Sequence, residues 1–347
     1  MASTRATNVI ELDRRGSHTR RNASIRRAAD DQMVPETVPL GKAKTALGDV
    51  TTERMSPAGA EKPTRYRPRT DFVGDLAAMT SFICRRLVGD YQVDEFGYDA
   101  KFAEQVVLPV LRPLFNAWFR VEVAGMNNIP VDGPALIVAN HAGVLPLDAL
   151  MASVAVHDHH PAHRALRILA ADLVFALPAL APIARKAGHT LACTPDAHRL
   201  LTSGELAAIF PEGHKGLGKC FRDRYQLARF GRGGFAVAAL RAGAPIIRCA
   251  NVGSEEIYPM VTNAWPLARL LGLPHFPITP TFPLAGPLGL MPLPSKWSIE
   301  FGTPITTSSC PDVEDPMGVF DLADHVRQTI SCLLRHRLTA RNNVFTG

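Results

Sequence analysis

The stretch Ala135-Leu136-Ile137-Val138-Ala139-Asn140-His141-Ala142-Gly143-Val144-Leu145-Pro146-Leu147-Asp148-Ala149-Leu150 decides how this chain is read. Ala135 to Ala139 is an unbroken apolar run of strand length, which predicts a strand buried on both faces. It stops at Asn140 and His141, and Gly143 and Pro146 then turn the path. Asp148 opens the next apolar segment. Pro146 suits the first turn of a helix, where a missing N–H costs nothing, and a carboxylate there meets the positive end of the helix dipole. The pattern therefore sets an imidazole on a loop at a strand end, with an acid one helical turn away. A neutral imidazole held by a carboxylate is an arrangement that takes a proton from a hydroxyl. A strand-end histidine satisfied by backbone is the alternative that this segment alone leaves open.

Working outward, the chain alternates strand-like and helix-like pieces. Leu166 to Ala170, Leu206 to Phe210 and Pro245 to Val252 read as strands, and Pro195 to Thr202 and Gly234 to Arg241 as helices. Between them Leu173 to Ala184 is apolar but contains Pro178 and Pro182. Such alternation predicts an α/β fold, a central mostly parallel sheet flanked by helices. Upstream, Phe72, Leu76, Met79, Ile83 and Leu87 recur at helical spacing, and Phe102 to Phe119 is apolar on a wide face, with Pro109 and Pro113 expected to kink or break it. Both stretches pack on a core or, for the aromatic-rich second, lie at a lipid interface. Residues 264–294 combine Trp, Leu and Phe with eight prolines, which predicts an irregular lobe facing a membrane or a substrate channel. A helix from about Pro316 to Arg337 closes the chain. The expected organisation is a disordered basic tail over 1–70, a helical part over 71–120, a catalytic core over 121–310 and a C-terminal helix within 311–347.

Composition bounds the function classes. Of 347 residues 46% are hydrophobic, enough for a large core. The net charge of +6 comes from residues 1–70, which carry 14 basic against 8 acidic residues, while the rest holds 24 of each sign. That balance in the folded part gives no reason to expect a nucleic-acid partner. The tail is too poor in aromatics to fold alone and reads as solvated without a fixed partner, with anionic lipid or nucleic acid as the further options. Six scattered cysteines without a Cys-x-x-Cys spacing predict reduced thiols and a cytoplasmic protein. No signal peptide and no spanning segment is visible, so contact with a membrane would be peripheral, on its inner face.

The second chemical stretch is Ile209-Phe210-Pro211-Glu212-Gly213-His214-Lys215-Gly216-Leu217-Gly218-Lys219-Cys220. It too follows a strand, and ligands of parallel sheets bind at strand carboxyl ends. Gly213 to Lys219 fits a phosphate-binding loop, but Cys220 stands where a Ser or Thr should hold magnesium, and Phe-Arg-Asp-Arg-Tyr follows in place of an apolar helix. Lys215, Lys219, Arg222, Arg224, Arg229 and Arg232 crowd this region and could bind a phosphate-bearing substrate. His157, Asp158, His159, His160 and His163 invite a zinc reading, yet they fall at the sheet end opposite the expected site, and no metal is expected.

Taken together, Asn140-His141 with Asp148, then Phe210-Pro211-Glu212-Gly213 roughly seventy residues on, resemble the PlsC-like glycerolipid acyltransferase superfamily. The resemblance covers roughly residues 120–310, with Pro245-Ile246-Ile247 and Gly253 in the place of the family's last motif. It implies that His141, polarised by Asp148, is the general base of an O-acyl transfer to a glycerolipid hydroxyl. The acceptor would be a lysophospholipid, 1-acylglycerol 3-phosphate or acylglycerol. It also implies that Asn140, Phe210, Pro211, Glu212 and Gly213 shape the substrate site, joined by His214, Lys215, Lys219 and Arg232 from the basic cluster. The donor would be acyl-CoA or an acyl carrier protein, with no other cofactor, at a membrane surface. This chain departs from the family in three places. Six residues separate His141 from Asp148 where the family usually has four, as in a branch acting on neutral acylglycerols. No Arg follows Gly188, and Arg248 replaces a proline. A non-catalytic lipid binder and a nucleotide-binding protein using Lys219 are the competing classes.

Overall fold

A computed structural model describes residues 92–346 except 232, 274, 310 and 311, together with Gly74, Ala77, Thr80, Ser81 and Cys84. The expectations for the tail, for Arg232 and for most of the helix at 72–87 lie outside the described residues.

Seven strands form one sheet: β1 (Glu122–Ala124), β2 (Ala135–Ala139), β3 (Arg167–Ala170), β4 (His189–Leu191), β5 (Leu206–Ile209), β6 (Ile246–Val252) and β9 (Ser298–Ile305), in the order β1-β9-β6-β2-β5-β3-β4. The five strands β6, β2, β5, β3 and β4 run parallel, whereas β9 pairs antiparallel with β6 and carries β1 alongside it in its own direction. The mostly parallel α/β sheet is thus present, with two reversed strands at one edge. A two-residue pair, β7 (Thr262–Asn263) with β8 (Pro277–Ile278), lies outside it.

Every residue of β2 is buried, because helices cover both faces. The helix Leu147–His159 packs on one side with Phe115, Phe119, Ile137, Phe301 and Trp297. Helices Thr194–Thr202, Gly234–Ala242 and Pro316–Ala340 cover the other, around Leu136, Val138, Ile246 and Ile330. Continuous apolar strands instead of alternating ones follow from this double cover.

Several local expectations are corrected. The prolines do not break the helix at 100–118: π turns over Ala103–Val107 and Leu114–Trp118 bracket Leu108–Pro113, and the wider i→i−5 bonds accommodate the missing N–H groups. Pro146 is the residue before the helix and not within its first turn. The segment Leu173–Ala184 divides into helices Asp172–Ala176 and Leu180–Lys186 at Pro178. The lobe at 264–294 is not wholly irregular, since it holds the helix Trp265–Leu270 and a 3₁₀ turn at Gly286–Leu290. Strands β1, β4 and β9 were not expected. β1 and β4 are too short for periodicity to show, and β9 has Gly302 and Pro304 inside its run.

The histidine cluster closes the helix Leu147–His159 at the far end, where its side chains have structural partners. Asp158 takes a two-pronged bond from Arg112 (2.9 and 2.8 Å) and one from His157, and these outweigh burial to hold its carboxyl well below the usual range. His160 is buried, with Nε2 3.2 Å from the Ile129 carbonyl. Among the described residues no group of three His, Cys, Asp or Glu side chains is placed to hold a metal.

Candidate active site

The carboxyl ends of three neighbouring strands, β5, β2 and β6, deliver Phe210–Gly213, Asn140–His141 and Gly253–Glu256 to one place. His141 Nδ1 lies 2.8 Å from Asp148 Oδ2. The same oxygen accepts the Ala142 N–H at 2.9 Å, and Oδ1 accepts the Ala149 N–H at 2.9 Å. Asp148 is fully buried, yet three donors and the start of its helix compensate the cost of its charge. The six intervening residues are taken up by a loop that folds back at Gly143 (φ +89°), so the longer spacing does not separate the pair. With Nδ1–H given to Asp148, the free lone pair of a neutral His141 is on Nε2. The ring lies 4.9 Å from that of Phe210, tilted by 42°, and its side chain retains 10% exposure.

The backbone under His141 is equally fixed. Asn140 Nδ2 donates to the Asn251 carbonyl at 3.0 Å, and the Asn251 N–H donates back to Asn140 Oδ1 at 2.7 Å, which clasps β2 to β6. The His141 N–H donates to Glu212 Oε1 at 3.0 Å. Glu212 Oε2 accepts the Ala228 N–H at 2.7 Å and lies 3.2 Å from Lys219 Nζ. Lys219 Nζ also donates to Glu255 Oε1 at 3.2 Å, and Glu255 Oε2 accepts the Tyr225 N–H at 2.8 Å. Burial pushes the Glu255 carboxyl up to about 7 against the pull of Lys219. Two carboxylates thus share one ammonium in the interior.

This network corrects the part given to Lys219. Its side chain is 9% exposed and saturated by Glu212 and Glu255, so it is not free to receive a phosphate. Glu212 is buried and holds the His141 backbone, a contact that shapes the loop. Pro211 is half-buried and Gly213 turns the chain at φ +54°, ψ −141°, a conformation open to glycine. His214 and Lys215 start the exposed short helix His214–Leu217. Gly216 in that helix approaches the His141 loop closely: a Cβ there would stand 2.5 Å from the His141 carbonyl oxygen. Glu255, Asn251, Tyr225 and Gly216 complete the site, and none was singled out from the sequence. The acidic pair Glu255-Glu256 directly after a strand is the signal that would have found Glu255.

The family model described as Acyltransferase matches residues 120–252, the span that contains His141, Asp148 and Glu212. An uncharacterized protein of Mycobacterium tuberculosis is 61% identical over 297 residues, covering 85% of this chain and 83% of that one. The chain belongs to the acyltransferase superfamily. A Mycobacterium leprae protein, also uncharacterized, is 56% identical over 305 residues, or 87% and 80% of the two chains. A human protein described as DGAT1/2-independent enzyme synthesizing storage lipids is 33% identical to this acyltransferase over 132 residues, 38% of this chain and 39% of its own. A solved structure of the 1-acyl-sn-glycerophosphate acyltransferase PlsC from Thermotoga maritima aligns with 78% of this chain and 99% of that one at 16% identity and a TM-score of 0.47.

Proposed function

We propose that this acyltransferase moves a fatty acyl group from acyl-CoA, or from an acyl carrier protein, to a hydroxyl of a glycerolipid at a membrane surface. The observation that carries the reading is the 2.8 Å contact between His141 Nδ1 and the fully buried Asp148. His141 Nε2 takes the proton of the acceptor hydroxyl as its oxygen attacks the thioester carbonyl. The C–O bond forms and an oxyanion develops. The donors proposed for it are the N–H groups of His214 and Lys215 at the start of the helix His214–Leu217, since those of Gly216 and Leu217 already donate to the Gly213 carbonyl. The C–S bond then breaks, and the proton passes from His141 to the departing thiolate. No covalent acyl-enzyme is required. Cys249 is fully buried, with its thiol pushed far up by burial.

The acceptor class follows from what the site offers. With Lys219 neutralised and no Arg after Gly188, a neutral acylglycerol or a lysophospholipid fits better than glycerol 3-phosphate. The name of the human relative, an enzyme synthesizing storage lipids, supports a neutral acylglycerol among these. Exposed apolar side chains follow the carboxyl ends of β3 and β6, the end of the parallel strands that carries His141: Leu177, Leu180 and Ile183 after β3, and Trp265, Leu270, Leu284 and Leu288 after β6. A bilayer interface would cover these exposed apolar side chains. Among the described residues no helix is long and apolar enough to cross a membrane. The deciding experiment follows release of free thiol from acyl-CoA with a panel of lysophospholipids and acylglycerols on vesicles. Transfer to at least one acceptor is expected, and vesicle binding without transfer to any would leave a passive lipid binder.

A further inference from the structure

A second cavity, of about 430 Å³, lies between the segment Arg224–Tyr225 and the end of the C-terminal helix, lined also by Leu338, Arg341, Asn343, Val344 and Glu256. Its volume lies within the range of cavities that seat a drug-sized ligand. Arg224 also lines the small cavity beside the catalytic loop, which is walled by Gly143, Val144 and Gly216. Arg224 therefore borders both hollows.

The charges around this cavity are unequal. Arg341 is occupied: it grips both oxygens of Glu256 (2.8 and 2.7 Å) and the backbone carbonyl of Lys296. Arg224 is exposed, lies over the Phe221 ring at 4.5 Å and donates only to the Phe221 carbonyl at 3.2 Å. Among the described residues no carboxylate pairs with it. Of the described members of the basic cluster, Lys215 is exposed on the helix His214–Leu217, and it lines neither cavity. Lys219 is buried between two acids, Arg222 stands 3.4 Å from Asp223, and Arg229 lies over Phe320. Tyr225 is held at φ +61°, its hydroxyl accepting the Gly253 N–H at 2.9 Å, so the cavity's aromatic wall is tied to the end of β6. An unneutralised arginine, an aromatic wall and apolar Leu338 and Val344 together suit a nucleotide: phosphate on the cation, base against the ring.

We infer that this second cavity seats the phosphate-bearing nucleotide end of coenzyme A, so that the pantetheine arm runs past Arg224 towards His141. The inference rests on the acyl-transfer reading and names its donor. It is tested by calorimetric titration of the full chain with coenzyme A and with pantetheine, which carries no phosphate. Two variants are compared, Arg224→Glu and Leu338→Trp, each checked for an unaltered melting temperature. Coenzyme A should bind Arg224→Glu tenfold or more weakly, as expected for a lost charge-assisted bond, while pantetheine is indifferent to the change. Leu338→Trp should weaken coenzyme A by filling the space. In turnover, KM for acyl-CoA should rise in both variants and KM for the acceptor should not. Coenzyme A binding unweakened in both variants overturns the inference, as does a rise in KM for a phosphate-bearing acceptor alone. Titration needs no turnover and so reads the cavity even in a chain that transfers nothing. Conversely, turnover with acyl carrier protein as donor and no coenzyme A binding would overturn the cavity assignment and leave the transferase reading standing.

Discussion

Lys219→Met removes the one ammonium that Glu212 and Glu255 share, at a site where all three side chains are less than a tenth exposed. Breaking a buried ion pair by deleting one partner costs about 3–5 kcal/mol, because the surviving charge is left desolvated. At the lower figure the melting temperature should fall by about 6–12 °C for a domain of this size. The loss should depend on pH, and its sign follows from Glu255. That carboxyl is raised from 4.5 to about 7 in the fold, first by burial, with Lys219 opposing. Between those two values the folded chain keeps a proton that the unfolded chain has released. Glu255 therefore makes stability fall as pH rises through this window, and its penalty is complete above about 7. At pH 5.5 Glu255 is mostly neutral and needs Lys219 little; at pH 8 it is charged and needs it most. Thermal or urea unfolding of wild type and variant at both pH values should show the larger gap at pH 8. Adding Glu255→Gln to the variant should recover part of that gap. A gap equal at both pH values, or larger at 5.5, refutes the reasoning, as would a variant at pH 8 that melts with the wild type.

Three further outcomes are expected. His141→Ala should lower acyl transfer by about two to four orders of magnitude with folding intact, and Asp148→Asn should also lower kcat, because an amide no longer fixes the imidazole tautomer; thiol release from acyl-CoA measures both. Gly216→Ala should lose at least about tenfold in rate, since its methyl would meet the His141 carbonyl at 2.5 Å and Glu212 Cβ at 3.0 Å, whereas Gly204→Ala, with nothing within 4 Å, should lose stability alone through its φ of +82°. The triple change Leu270→Asp, Leu284→Asp and Leu288→Asp, at positions more than 80% or close to 80% exposed, should abolish co-sedimentation with vesicles and leave the melting temperature within a few degrees; retained binding would place the membrane contact elsewhere.

What the sequence discloses follows periodicity and chemistry. Ala135–Ala139 and Leu206–Ile209 announce themselves because both faces are buried and no polar residue interrupts them. The histidine and its acid are equally plain, since a strand that ends in His141 with Asp148 at a helix start leaves few other geometries. Lys219 misleads because glycine-lysine spacing advertises phosphate binding, while its burial is decided by Glu255, 36 residues away on another strand end. The clasp of Asn140 with Asn251 is hidden for the same reason: both partners look like loop asparagines until β2 and β6 are known to be neighbours. Arg224 offers no sequence signal that separates it from Arg222 or Arg229, and only the folding of the C-terminal helix against Tyr225 gives it a cavity to face.

The reversed edge of the sheet has a consequence for synthesis. Among the described residues β1 hydrogen-bonds β9 and no other strand, and β9 alone covers the outer side of β6. On the ribosome, β2, β3, β5 and β6 can assemble as they emerge, but Glu122–Ala124 must wait for Ser298 and its successors to be translated. Until then the growing polypeptide carries an open edge at β6 and an undocked leading helix, the kind of exposure that invites pairing with another nascent molecule. A product released before residue 298 would keep the residues of chemistry and still lack the strand that seals the sheet.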